Sequence, residues 1–341
     1  MTGDVDFCVY DGHTRFDIHL HRNVTVIQGN GATGKTTLCQ MIMRSKMGGA
    51  KLKISAEDKS RPIDIAVLSD NTMAGGGPGL PLRTNMIYIS DELDTHFTHD
   101  VARFVRDSGA YFIFISRMHI PDIPYSIHEI YEMTSRRETE GKQVFTLSRL
   151  FAESHFGELP ASREFITEDS KSGFEFFAKV YNSESVISAG TNSNISKVLQ
   201  NTGYRAPIVI ADGAAFGAYI LDTLAALKLH GNGCLILLES FEYVILHITK
   251  FRPLLANLNI DLEHPKVESS LYLSWERYYT ELLIEISNNT SLVNQSTGKN
   301  FYSYPKTKNK LPSAYLSLRE ASEILAVYGL GYPRGRTDVF Q

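Results

Sequence analysis

Gly29-Asn30-Gly31-Ala32-Thr33-Gly34-Lys35-Thr36 is the stretch on which the fold of this chain turns. It fits the spacing G-x-x-x-x-G-K-[ST]. Ahead of it, the apolar run Val24-Thr25-Val26-Ile27 predicts a buried strand. Behind it, Thr37-Leu38-Cys39-Gln40-Met41-Ile42-Met43 predicts a helix. Glycines let successive backbone N–H groups curl around a phosphate chain, and the helix N-terminus adds partial positive charge. Lys35 is placed to reach the β- and γ-phosphates, and the Thr36 hydroxyl to ligate Mg²⁺. The remaining contacts are expected from the loop backbone, Gly29 to Thr37. The ligands this predicts are ATP and Mg²⁺.

At 341 residues the chain is too long for one ordinary core, so two domains are expected. With 43% hydrophobic and 21% charged residues, the composition is that of a globular protein. The net charge of −4 gives no support to a broad nucleic-acid surface, although it leaves a local basic groove open. Cys8, Cys39 and Cys234 are far apart and show no C-x-x-C spacing, which points to a reducing compartment. The N-terminal residues form no signal peptide, and Asp212, Glu239 and Glu242 interrupt the two most apolar stretches. A cytoplasmic protein without membrane spans is the expectation.

Phe7-Cys8-Val9-Tyr10 and Phe16-Asp17-Ile18-His19-Leu20 flank Asp11-Gly12, a hairpin signal. Further on, Met86-Ile87-Tyr88-Ile89-Ser90 predicts a strand that ends in Asp91-Glu92. A strand-end carboxylate can hold the Mg²⁺ that bridges phosphates, and a neighbouring glutamate can orient the attacking water. Asp91 is therefore a metal candidate, and Glu92, with Lys35, a catalytic one. A further strand, Ala110 to Ile115, ends in Ser116-Arg117. Ile127 to Met133 and Gln143 to Ser148 are expected to pair across Glu140-Gly141.

A hairpin feeding a phosphate-loop strand, followed by a strand ending in Asp91-Glu92-Leu93-Asp94, resembles the ABC-type ATPases with their SMC and OLD relatives. The resemblance implies a P-loop NTPase domain over residues 1–150. It makes Asp91 and Glu92 the Walker B pair and Ser116 the residue that senses the γ-phosphate. It also implies a homo-oligomer or a protein partner that completes the ATP site. The chain departs from the family in lacking an L-S-G-G-Q signature: Gly75-Gly76-Gly77-Pro78-Gly79 lies too close to the Asp91 strand to serve. Transport is not implied.

From about residue 150 strands and helices alternate, predicting a second α/β domain with a parallel or mixed sheet over 160–265. Strands are expected at Phe165–Asp169, Ser185–Gly190, Ile208–Gly213 and Cys234–Leu238. Helices are expected at Ser172–Tyr181, Asn194–Gln200 and Ala218–Leu229, the first burying Phe174, Phe177, Ala178 and Tyr181. This order resembles the TOPRIM fold of topoisomerases, primases and OLD-family nucleases. The resemblance implies that Glu168 and Asp212 bind a second divalent metal. Ala214 stands where the family carries another carboxylate, so the site is degenerate, with Asp169 or Glu239 as substitutes. Residues 266–341 form a helical and loop C-terminal region. Leu271–Ile286 and Ser317–Tyr328 are its helices, the second with Ser317 and Glu320 at capping-box spacing. Lys306, Lys308, Lys310, Arg334 and Arg336 are the candidate contacts should nucleic acid bind.

The leading expectation is an ATP-binding and ATP-hydrolysing switch protein whose second domain recognises or acts on a partner. OLD-like proteins of this layout belong to mobile-element and phage-defence systems, so the resemblance implies such a role. The alternatives are an ATP-gated metal-dependent nuclease using Glu168 and Asp212, and a nucleotide-binding structural subunit without turnover. A kinase is disfavoured because Pro121 and Pro124 break the segment that would form an arginine-bearing lid.

Overall fold

Val5, Phe7 and Val9 alternate with polar residues, and Phe16, Ile18 and Leu20 do the same. Two half-buried antiparallel strands result, β1 (Val5–Tyr10) and β2 (Thr14–Leu20). Asp11 closes the turn, its carboxylate accepting the N–H groups of His13 at 3.2 Å and Thr14 at 3.0 Å. The Thr14 bond leads in holding the Asp11 carboxyl below the usual range. These strands belong to a computed structural model that describes residues 4–29, 33–56, 62–68, 85–91, 102, 105, 110–117, 120, 123–138, 141–161, 163–231, 233–249, 251–257, 275–289 and 316–333. Two compact units divide the chain, one running to Ala152 and the other starting at Glu153.

In the first unit, β3 (Val24–Gln28) leads through the glycine loop to helix α1 (Lys35–Lys46). There follow β4 (Lys51–Ala56), β5 (Asp64–Leu68), β6 (Met86–Asp91), β7 (Tyr111–Ile115), β8 (Ile130–Arg137) and β9 (Gln143–Arg149). Among the described residues they form one sheet in the order β4-β1-β2-β9-β8-β3-β7-β6-β5. The run β8-β3-β7-β6-β5 is parallel throughout. The β1–β2, β1–β4 and β8–β9 pairs are antiparallel, and a parallel β2–β9 pairing joins the two parts.

One face of this sheet carries Ile27, Ile65, Ile87, Ile89, Ile113 and Ile115, packed with Leu38, Cys39, Met41 and Ile42 of α1. Full burial of Leu38, Met41 and Ile42 stabilises the pairing by about 1.5–3 kcal/mol each. The opposite face is aromatic: the Tyr88 and Phe112 rings stack at 5.4 Å, Phe112 and Phe114 at 5.9 Å. Strands β4 and β5 were not among the sequence expectations. In β4, Lys51 and Lys53 are exposed on one side while Leu52 and Ile54 pack on the other, an edge-strand pattern with little apolar signal.

In the second unit, β11 (Phe165–Thr167), β12 (Val186–Ser188), β13 (Ile208–Asp212) and β14 (Cys234–Leu238) are parallel, in the order β12-β11-β13-β14. The short β10 (His155–Phe156) lies antiparallel against β14. The predicted strands and helices of this domain are present, with shifted ends. Helix α2 (Ser172–Tyr181) buries Gly173, Phe176, Phe177 and Val180 rather than the Phe174 and Ala178 face expected. The i, i+3, i+4, i+7 stripe is shifted because Phe176 and Phe177 both close on Phe241, at 5.5 and 6.5 Å.

Helices α3 (Ile195–Asn201), α4 (Ile220–Leu229), α5 (Phe241–Leu246) and α6 (Arg252–Asn257) follow in chain order. They are succeeded by α7 (Trp275–Asn289) and α8 (Leu318–Val327). The last two pack within the second unit: Tyr279 lies 5.1 Å from Tyr243, and Tyr328 lies 5.3 Å from Phe177. Among the described residues no helix is long and apolar enough to cross a membrane. Both arms of the predicted capping box are made at Ser317, with Ser317 N donating to Glu320 Oε2 at 2.8 Å and Glu320 N to Ser317 Oγ at 3.3 Å. Replacing Ser317 by Ala is expected to lower stability by about 1 kcal/mol, read as a fall in the urea midpoint at constant m. An unchanged midpoint would show that the cap carries no weight.

Candidate functional site

From β3 the chain passes through α1 and β4, at the far edge of the whole sheet, to β5 at one edge of the parallel run, returns through β6 and β7, and then crosses to β8 on the other side of β3. Strand order therefore reverses around β3. The crevice beyond the carboxyl ends at such a switch point is where open α/β sheets take ligands. Gly29 leaves β3 with φ +134°, and Gly34 enters α1 with φ +94°, backbone regions that glycine adopts without strain. Lys35 folds back so that its Nζ donates to the Gly29 carbonyl, tying the two ends of the loop together. Asn30, Gly31 and Ala32, between them, lie outside the described residues.

Helix α1 starts with Gly34 O accepting from Leu38 N at 2.9 Å. No acidic side chain lies in its first turn, so no carboxylate of that turn neutralises the positive end of the dipole. Thr36 and Thr37 are exposed there, whereas Leu38 and Cys39 turn into the core. Gly34 is also held sterically. A Cβ at this position would stand 2.6 Å from the Phe145 ring, which stacks on Phe16 at 4.6 Å.

Ile27, Ile115 and Asp91 lie level across β3, β7 and β6, in the register Ile27↔Ile115↔Asp91. At about 4.8 Å per strand, Asp91 is roughly 10 Å across the sheet from the strand that opens the loop. Its side chain falls on the same face of β6 as those of Ile87 and Ile89, the face packed against α1. The Cys39 thiol reports the same placement: burial chiefly, and the Asp91 carboxylate next, push it up to about 12. Thr36 lies three residues before Cys39 on α1, on the neighbouring part of the helix surface. The arrangement thus places Asp91 on the α1 side of the sheet, near Cys39. Ser116, buried just past β7, donates its N–H to Ile27 O at 3.1 Å and stands beside the loop strand. Glu92 lies outside the described residues.

In the second unit the carboxylates are drawn into local structure. Glu168 Oε2 accepts Asp212 N–H at 2.8 Å, and Asp212 Oδ1 accepts Phe241 N–H at 3.2 Å. Asp169 accepts the N–H groups of Lys171, Gly173 and Phe174 at 3.2, 3.0 and 2.9 Å, capping α2. Burial nonetheless dominates and raises the Asp169 carboxyl. Together with buried Glu242, which sequence patterning did not single out, these residues line a pocket against Tyr328. The Tyr328 phenol is pushed well up, first by burial and then by Asp212, Glu242 and Asp169. Glu168 and Asp212 are thus neighbours, but no third Asp, Glu, His or Cys joins them within metal-binding reach among the described residues. Among the described residues the one group of three that meets this condition is Asp4, His19 and His21.

Sequence patterning also missed a buried charge near the start of β8. Glu129, 1% exposed, lies 4.0 Å from Arg22 and 3.8 Å from Arg149, and its Oε2 accepts the Tyr131 hydroxyl at 3.3 Å. No family model matches the chain, and no curated protein is detectably similar to it. The site is therefore read from its own geometry. Gly34→Ala is expected to cost about 1–3 kcal/mol, from the positive φ and the ring contact together. The same substitution in a Phe145→Leu background is expected to cost less, read by chemical denaturation. Equal costs in both backgrounds would remove the ring from the account.

Proposed function

We propose that the first unit is a P-loop NTPase domain that binds ATP with Mg²⁺ and hydrolyses it, so that the protein acts as a nucleotide-driven switch. The observation that carries this reading is the convergence of two sequence-distant segments at the carboxyl end of the parallel strands. Lys35 and Thr36 open α1, with Lys35 Nζ bonded back to the Gly29 carbonyl, and Asp91 ends β6 on the side of that helix. Strand order supports it too, since the loop strand sits at the switch point, with the Ser116 strand on one side and the Asp91 strand next beyond.

The donor set fits the ligands. Main-chain N–H groups, a helix N-terminus and an ammonium are the means by which a protein grips a phosphate chain. The Thr36 hydroxyl and Asp91 carboxylate are hard oxygen donors of the kind Mg²⁺ takes, in company with phosphate oxygens and water. Mg²⁺ neutralises charge that develops on the phosphoryl oxygens. Lys35 supplies fixed positive charge at the same oxygens, and Ser116 a polar group at the edge of the site. Glu92, following Asp91 in sequence, is the residue we assign to orienting water. The second unit would then read out the nucleotide state toward a partner, with Asp169, Glu168 and Asp212 serving its architecture through the backbone bonds they accept.

Phosphate release from ATP, measured with the full chain, tests this. Native protein is expected to turn over only with Mg²⁺. Lys35→Ala and Asp91→Asn are each expected to slow release by roughly 100-fold or more, as loss of a charge that stabilises phosphoryl transfer does. Equal rates for native and Lys35→Ala protein, with neither retaining ATP, would sink the proposal. Retention of ATP without release would keep binding and remove hydrolysis.

A further inference from the structure

Asp4, Asp6, His19 and His21 form a cluster for which the phosphate-loop site has no use. Strand alternation creates it. Val5, Phe7, Ile18 and Leu20 turn into the core, so the residues between them share the other face. The hairpin register pairs Asp6 with His19 and Val5 with Leu20, which sets Asp4 beside His21. His19 Nε2 lies 3.2 Å from His21 Nδ1 and 3.6 Å from Asp4 Oδ2, and His21 Nδ1 lies 3.5 Å from Asp4 Oδ1.

These separations have a chemical reading. A tetrahedral ion with bonds of about 2.0–2.1 Å holds its ligand atoms roughly 3.3–3.4 Å apart. The His19–His21 edge of 3.2 Å is close to that value, and the two oxygens of the Asp4 carboxylate each lie 3.5–3.6 Å from one of the nitrogens, so one ligand atom from each residue lies within 4.8 Å of the other two. The other nitrogen of His19 also has the partner that a ligating imidazole takes. Nδ1 lies 2.5 Å from Asp6 Oδ1, a contact that fixes the tautomer and turns Nε2 toward the cluster.

Counting protons points the same way. With its Nδ1 proton directed at Asp6, neutral His19 offers only an acceptor at Nε2. A single proton on His21 Nδ1 must then serve both that nitrogen and Asp4. One acceptor is left over between neutral imidazoles, and among the described residues Asp4 Oδ1 is indeed a buried oxygen with no hydrogen-bond partner. A cation among the three would satisfy all of them at once with both imidazoles neutral.

We propose that Asp4, His19 and His21 bind a divalent cation of the zinc class, with Asp6 as the positioning residue behind His19. Two imidazoles and one carboxylate suit Zn²⁺ and its borderline neighbours, whereas Mg²⁺ takes oxygen ligands. The side chains of His19, His21 and Asp4 are 41, 38 and 26% exposed, which leaves an open approach and room for water in the fourth position. Arg149, the cation near His21, is drawn toward buried Glu129 at 3.8 Å. The ion would clip the first described residue of the chain to the end of β2. It would thereby stabilise the edge of the sheet independently of nucleotide.

Tag-free full chain, without nucleotide and in excess Mg²⁺, should take up one Zn²⁺ per chain in a chelator-competition titration. Co²⁺ in its place should give the visible absorption of a four-coordinate centre. Substituting His19→Ala or His21→Ala should weaken Zn²⁺ binding at least tenfold and abolish that absorption. Asp6→Asn should weaken binding by about 10–100-fold while leaving the three ligands in place. These side chains are partly exposed, and circular dichroism is expected to show each variant folded. Failure of the native chain to bind Zn²⁺ would overturn the proposal, as would binding that is indifferent to both histidine substitutions. Because Lys35→Ala leaves this cluster intact, Zn²⁺ uptake by that variant should be unchanged. The metal proposal therefore stands or falls apart from the nucleotide proposal.

Discussion

The first unit depends on the seating of one helix upon one row of isoleucines. Leu38, Cys39, Met41 and Ile42 of α1 fill the space over Ile27, Ile113, Ile115, Ile87 and Ile89, and that contact fixes where the glycine loop begins and ends. A loop of glycines has no preferred shape of its own. It gains one here because β3 holds its start, α1 holds its finish, and the Lys35–Gly29 bond joins the two. The Phe16–Phe145 stack beside Gly34 brings the antiparallel part of the sheet to the same spot. Both halves of the sheet therefore bear on a single turn.

That seating also explains how a carboxylate from a different strand comes to face α1 near Cys39. Asp91 follows Ile87 and Ile89 in strict alternation, so the packing that buries the isoleucines dictates where the acid points. Strand-end acids elsewhere meet another fate. Asp169 and Asp212 sit at ends of the same kind, but helices begin next to them, and the backbone N–H groups there claim their oxygens. The same residue type at equivalent topological positions thus gives a ligand candidate in one unit and helix caps in the other.

Much of this was legible in the residues. The hairpin around Asp11, the strand–loop–helix at Val24 to Met43, the strand ending at Asp91 and the capping box at Ser317 all follow from local patterns. Strand β4 did not, because Lys51 and Lys53 dilute its apolar content at the sheet edge. The buried face of α2 was misjudged since adjacent Phe176 and Phe177 both bury, which no single-stripe periodicity anticipates. The cluster of Asp4, His19 and His21 required knowledge of register: D-x-D and H-x-H are unremarkable until the hairpin sets them opposite one another. Likewise, the proximity of Asp91 to Cys39 rests on tertiary packing that spacing alone does not carry.

The parallel pairing of β2 with β9 bears on the order in which the chain acquires its shape. Strands β1, β2 and β4 are close in sequence and can associate as soon as they emerge from the ribosome. Strand β3 has no such luck, since both its neighbours, β7 and β8, are made long after it. The central strand must wait with bare edges until residues near 130 have been synthesised, and the sheet is not joined across β2 and β9 until those near 145. Contacts so distant in sequence make folding slow and leave an apolar edge open to wrong partners meanwhile. A nascent chain truncated before β7 would carry the glycine loop on a strand with nothing to lean on.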